Sequence, residues 1–76
     1  MIVDIVNGDD WNGIYLDEKL YHEGHSIPDF IWRVVLEKVG ADPRPTLVRH
    51  READLDWLMD EGRLPATIHE VVFASE

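Results

Sequence analysis

Apolar positions change their spacing several times along the chain, and each change marks an element. Residues 1–6, MIVDIV, form a short β-branched block broken only by Asp4, which predicts a strand. The next seven residues, NGDDWNG, are mostly polar and hold two Asn-Gly pairs, so a turn-rich connection follows. In IYLDEKLYHEG, Ile14 and Leu16 alternate with Tyr15, Asp17-Glu18 interrupts, and Leu20 and Tyr21 resume. Period-two alternation around a polar pair predicts a hairpin. The Asp-Glu pair contains no glycine, which leaves the turn type open.

A helix is expected over residues 27–39. Ser26 followed three residues later by Asp29 has capping-box spacing, and Pro28 falls in the first turn, where its missing N–H costs nothing. Gly24 lets the chain turn out of the strand, and Gly40 stands where a C-terminal cap is expected. Asp29, Arg33 and Glu37 fall on one polar stripe, while Ile27, Phe30, Ile31, Trp32, Val34, Val35, Leu36 and Val39 cover most of the remaining circumference. A helix lying on one small sheet needs an apolar stripe only somewhat wider than about 100°. Ile27, Ile31, Val34 and Val35 are expected on the sheet. Trp32, Leu36 and Val39 project to the side, where either a second helix or a partner must cover them.

Beyond two prolines, residues 46–51 predict a fourth strand with Arg49 and Arg51 on one face and Val48 and His50 on the other. Residues 54–61 predict a second helix whose buried side is Leu55, Leu58 and Met59. Gly62 is its cap, Leu64 folds back on the last turn, and Pro65 prevents continuation. Trp57 lies about 100° around that helix from Leu58, off the apolar stripe. The tail combines strand-forming residues with a Thr67-x-x-Glu70 spacing, which reads as a short helical turn running into extended chain. The expected fold is α+β and a single domain over residues 1–76. It has a small antiparallel sheet of three to four strands, one main helix across one face, and a second short helix beside it.

Charge changes the picture more than length does. Sixteen acidic residues against seven basic ones give a formal net charge of −9 over 76 residues. Direct nucleic-acid binding needs clustered Lys and Arg and is not expected; attraction to basic surfaces is. Apolar content of 45% is too high for a disordered chain. A chain this short buries only roughly 60% of its unfolded surface, and without cysteine it has no covalent staple. The absence of cysteine fits a reducing cytoplasm, and Asp4 breaks the opening apolar run too early for a signal peptide or membrane span.

The candidate chemistry is thin. His22 and His25 are three apart around a glycine, whereas the helical zinc signature needs a spacing of four. Asp9 and Asp10, with Asn7 and Asn12, offer oxygen ligands, but Trp11 breaks the alternation that a calcium loop requires. Ser26 reads as a cap, and no phosphate loop or dinucleotide fingerprint is present. No metal, cofactor or catalytic residue is assigned, and enzymatic activity is not expected.

Trp11, Gly13, Tyr15, Asp17, Lys19, Leu20, Glu23, Gly24, His25 and Ser26 together resemble a pattern found in short proteins of bacteriophages and mobile elements. There a Trp-x-Gly-aliphatic-Tyr-aliphatic-Asp-x-Lys-Leu strand pair leads into Glu-Gly-His-Ser. Trp57, Leu58, Gly62, Leu64 and Pro65 are similar to a second part of that pattern. Glu18 departs from it, standing where glycine is frequent. The resemblance implies a small accessory protein rather than a particular chemistry.

Three functional expectations follow. The first is a protein-binding module of phage-inhibitor type that occludes a basic, nucleic-acid-binding site on a host protein. Trp11, Trp32, Leu36 and Trp57 would supply apolar contacts, and Asp9 and Asp10 the charge. The second is a small-ligand or nucleotide-signal binder in which Arg49 and Arg51, with Arg44 and His25, would hold phosphate. The third is a homo-oligomeric accessory protein, with the apolar helix forming a homodimer.

Overall fold

The computed structural model describes residues 1–74 and shows an α+β fold built on a four-stranded sheet. Strands β1 (Ile2–Gly8), β2 (Trp11–Leu16) and β3 (Lys19–Gly24) run as an antiparallel meander. Helix α1 (Asp29–Ala41) then leads to β4 (Leu47–Glu52), α2 (Leu55–Glu61) and a 3₁₀ turn at Ile68–Glu70. The strand order is β3-β2-β1-β4.

β4 lies parallel to β1, with Ile2 opposite Leu47 and Asn7 opposite Glu52, so the sheet is mixed rather than wholly antiparallel. Direction explains this. β3 points the same way as β1 after two hairpin reversals, and one helix crossing the face brings the chain back to its starting end. A strand laid at the open edge must then run parallel. Both hairpin loops have two residues, and both use left-handed backbone without glycine: φ is 69° at Asp9, 47° at Asp17 and 73° at Glu18. Two successive positive values are the mark of a type I′ turn, whose twist matches the strands. Asp17 Oδ1 accepts the Ile2 N–H at 2.9 Å, and its other oxygen meets Arg44 at 2.8 Å. These bonds hold the Asp17 carboxyl below the usual carboxylate range, the backbone bond most strongly.

Each sheet face carries its own core. Val3, Ile14 and Val35 are buried on one face, with Ile5, Leu16, Ile31, Trp32 and Val39 packed against them; this is the α1 side. Val6, Tyr15, Ala53, Leu58, Leu64, Ile68 and Val71 form the other, with Trp11, Leu20, Trp57 and Phe73 around them. The second helix therefore lies on the opposite face from α1, not beside it, and does not cover Trp32 or Leu36. The cause is the edge position of β4: the chain leaves it and folds under the face that α1 has left open. Residues 65–74 then run as a strap from one sheet edge to the other. Thr67 bridges Lys19 at the β3 edge, and Phe73 bridges Ala53 beyond the end of β4. At the start of β3 this occupies edge backbone groups that would otherwise invite another strand. Under the strap, Tyr15 donates its hydroxyl to the Pro65 carbonyl at 2.6 Å. Burial, with the Glu23 and Glu70 charges adding, raises the Tyr15 pKa well above its ordinary value and keeps it a donor.

Local details differ from the sequence expectations in three places. α1 begins later, and its N-cap is Pro28 with no side-chain cap bond, so Ser26 is not the cap. Residue 25 is still tied to the sheet, because Asn12 Nδ2 donates to the His25 carbonyl at 3.1 Å. Gly40 lies inside α1, whose C-cap is Asp42. On α2, Leu58 is buried and Trp57 packs on the core, whereas Leu55 and Met59 are exposed. The α2 cap is Asp54, which accepts the Trp57 N–H at 3.0 Å. Gly62 closes the helix at φ 75° and Leu64 folds back into the core, both as expected. The tail also matches, with one helical turn followed by extended chain.

Two glycines predict opposite outcomes. A Cβ at Gly13 would strike the Leu64 side chain, while one at Gly40 meets nothing. Gly13→Ala should lower stability by about 1–3 kcal/mol through overpacking. Gly40→Ala should raise it by about 0.5–1 kcal/mol through helix propensity. Urea midpoints of the two variants measure both signs.

Candidate functional site

Trp11 stands at the first position of β2, directly across the Asp9-Asp10 loop from Gly8. Gly8 is required there, since a Cβ would strike both the Leu58 side chain and the Trp11 carbonyl. The indole is fixed from two sides. Its N–H donates to Glu23 Oε2 at 2.9 Å, and the same oxygen accepts the Leu64 backbone N–H at 2.7 Å. The His25 ring meets it edge-on, with centroids 5.0 Å apart at 83°. His25 Nδ1 lies 2.9 Å from the Asp10 carbonyl; a carbonyl only accepts, so Nδ1 carries the proton. A hairpin loop, a strand end and the segment before α1 thus hold one aromatic side chain in place.

Between this aromatic corner and α2 runs a groove of 230 Å³ lined by Trp11, His25, Leu55, Leu58 and Met59, with Asp9 and Asp10 on its hairpin-loop side. Met59 is 81% exposed and Leu55 47%, far more than their chemistry favours unless something covers them. On the other side of Asp9 and Leu55 lies a second hollow. It adds Glu52, Asp54 and Asp56. Asp9, Asp10, Glu52 and Asp56 are exposed, and the last turn of α2 carries no basic residue. An apolar cleft therefore opens into an acidic one, and the carbonyl end of a helix borders the first. Both features favour a cation.

The other residues singled out from sequence lie elsewhere. Trp57 is on the same face as Trp11 but borders a separate hollow with Glu61, Arg63 and Pro65. Trp32 packs under α1 on the opposite face, and Leu36 on that helix is 67% exposed. The three tryptophans do not share a surface. Arg49 is engaged by the buried Asp4 carboxylate at 2.6 and 2.8 Å. Arg51 stacks on the Phe73 ring at 3.5 Å, and Arg44 is held by Asp17 and Asp42. His25 does not join that cluster; it stands at the Trp11 corner. Among the described residues no three His, Asp or Glu side chains converge on a point, and no helix is long and apolar enough to cross a membrane.

Trp11, Asp9 and Asp10 are legible in the sequence as site residues, whereas Leu55, Met59 and His25 are not legible there as their neighbours. The spacing of Leu55 and Met59 from Leu58 is that of a buried stripe and reads as core. The one available signal was Trp57: a second bulky residue competing for the core side of a seven-residue helix.

Glu23 is the hinge of the site. Glu23→Ala leaves the Trp11 indole N–H and the Leu64 N–H without their acceptor, which should cost about 1–3 kcal/mol. Faster hydrogen exchange at the Trp11 indole than at the Trp32 indole would accompany the lower denaturation midpoint. Unchanged Trp11 exchange would show that Glu23 does not hold the ring.

Comparison of the chain with known protein families, with curated proteins and with solved structures finds no significant match to any of them.

Proposed function

We propose that this chain is an acidic protein-binding module that docks on the basic surface of a protein partner through the Trp11 groove. The observation that carries the reading is the pairing of exposed apolar side chains, Leu55 and Met59, with a rigidly held tryptophan and a rim of aspartates. Tryptophan-centred contacts supply affinity at interfaces, and complementary charge supplies orientation and on-rate. With a formal net charge of −9, the module suits a partner whose basic surface otherwise holds nucleic acid, and it acts by occluding that surface. A phage-type inhibitor working in the cytoplasm is the setting in which such occlusion has a use. No catalytic step is part of this reading.

The nucleotide-binding alternative is weaker. Arg49 would have to leave a carboxylate that is otherwise buried without a partner, and stranding a buried charge is costly. The homodimer alternative has Leu36 in its favour, but a second copy would bring like charge to like.

The test is capture of the bound partner at stepped ionic strength with three forms of the chain. A basic protein retained stoichiometrically by the wild type should be released as salt rises. It should be lost with Met59→Lys and kept with Leu36→Lys, which makes the same charge change on the other face. Binding that survives high salt, or that Leu36→Lys abolishes and Met59→Lys does not, contradicts the proposal.

A further inference from the structure

We infer that the Trp11 groove is a receptor for one arginine side chain of the partner. Its methylene stem lies along Leu55, Leu58 and Met59, and its guanidinium sits between the Trp11 corner and the carboxylates of Asp9 and Asp10. This rests on the protein-binding reading and names what enters the site.

Size comes first. Pockets for drug-sized ligands run from about 300 to 1,000 Å³, and this groove has 230 Å³, so it admits a single extended side chain rather than a helix or a compact ligand. Its lining then selects the type. The lining is mostly apolar, and its acidic groups, Asp9 and Asp10, stand together on the hairpin-loop side. An apolar channel with charge of one sign along one side is the complement of a residue with an aliphatic stem and a charged head of the other sign. A leucine or phenylalanine anchor would fill the walls but leave the aspartates without a counter-charge.

Arginine fits better than lysine for two reasons. A planar guanidinium lies against an indole and at the same time donates to carboxylates, whereas an ammonium does so as a point charge. The groove also holds its aromatic group still, through Glu23 on one side and His25 on the other, and a fixed planar surface favours a planar ligand. Met59 adds a flexible, polarisable wall that adapts to the stem. The neighbouring acidic hollow, with Glu52, Asp54 and Asp56 beyond Asp9, gives a second basic residue of the same partner a place to stand.

The experiment is an NMR titration of the labelled full chain with N-acetyl-arginine-N-methylamide, and with the lysine and leucine counterparts. The three indole N–H signals report three separate places, so the assay has internal controls. The arginine probe should shift the Trp11 indole and the Met59 methyl together, saturably, and leave Trp32 unmoved. Lysine should act more weakly, leucine least, and salt should reduce the arginine response. Met59→Lys places a cation on the groove wall at an exposed position, and should weaken the response at least about tenfold. Asp10→Asn should weaken it less.

Equal shifts from leucine and arginine would overturn the arginine assignment, as would shifts of Trp32 as large as those of Trp11. No response at Trp11 from a chain whose captured partner is still lost with Met59→Lys overturns the arginine occupant while the docking reading stands. A saturable arginine response confined to Trp11 and Met59 supports the inference whatever the partner proves to be.

Discussion

The pairing of Asp4 with Arg49 is the contact on which the remaining structure depends. Asp4 is 1% exposed in the central strand, and Arg49 donates to both of its oxygens, at 2.6 and 2.8 Å, from the adjacent parallel strand. A carboxylate in that position has no water to turn to, so it must be met by a cation placed to the residue. A slip of β4 by one position would turn Arg49 to the α1 face and leave Asp4 stranded. The pair is therefore a register lock, with its specificity coming from how unfavourable the alternatives are. It also accounts for the raised pKa of Arg49, whose first cause is the bond to Asp4.

From that register the two faces follow. Once β4 is fixed, Ala53 falls on the face opposite α1, α2 begins beneath it, and the strap of residues 65–74 closes over Tyr15. Leu64 can enter only because residue 13 is glycine, and Leu58 only because residue 8 is. The groove at Trp11 is thus a product of close packing. α2 is pressed so near the first hairpin loop that its Leu55 and Met59 side chains overhang the aromatic corner instead of entering the core. Electrostatics then colours this end, because both the hairpin loop and α2 are rich in aspartate.

Much of this was legible in the sequence, and the misses have physical causes. The hairpin around Asp17-Glu18, the fourth strand, the Gly62 cap and the turn at residues 68–70 were all visible in local patterns, because each is decided by a few neighbouring residues. The parallel sense of β4 could have been deduced by counting reversals, yet no local pattern carries it. The start of α1 is not legible locally: Ser26-x-x-Asp29 has the right spacing, but the tether of residue 25 to Asn12 in β2 overrides it. The side of the sheet taken by α2 depends on which face α1 has already occupied, a decision made by the whole chain. The pairing of Asp4 with Arg49, forty-five positions apart, had no local signal beyond an unexplained acid in an apolar strand. That acid was the clue.

A double-mutant cycle on Asp4→Asn and Arg49→Met, read by urea denaturation, tests the register lock most directly. The account predicts that each single change destabilises and that the two are coupled by at least about 1.5 kcal/mol, the double variant losing much less than the sum. Additive losses would contradict it, and would mean that β4 is held in place by the apolar core alone.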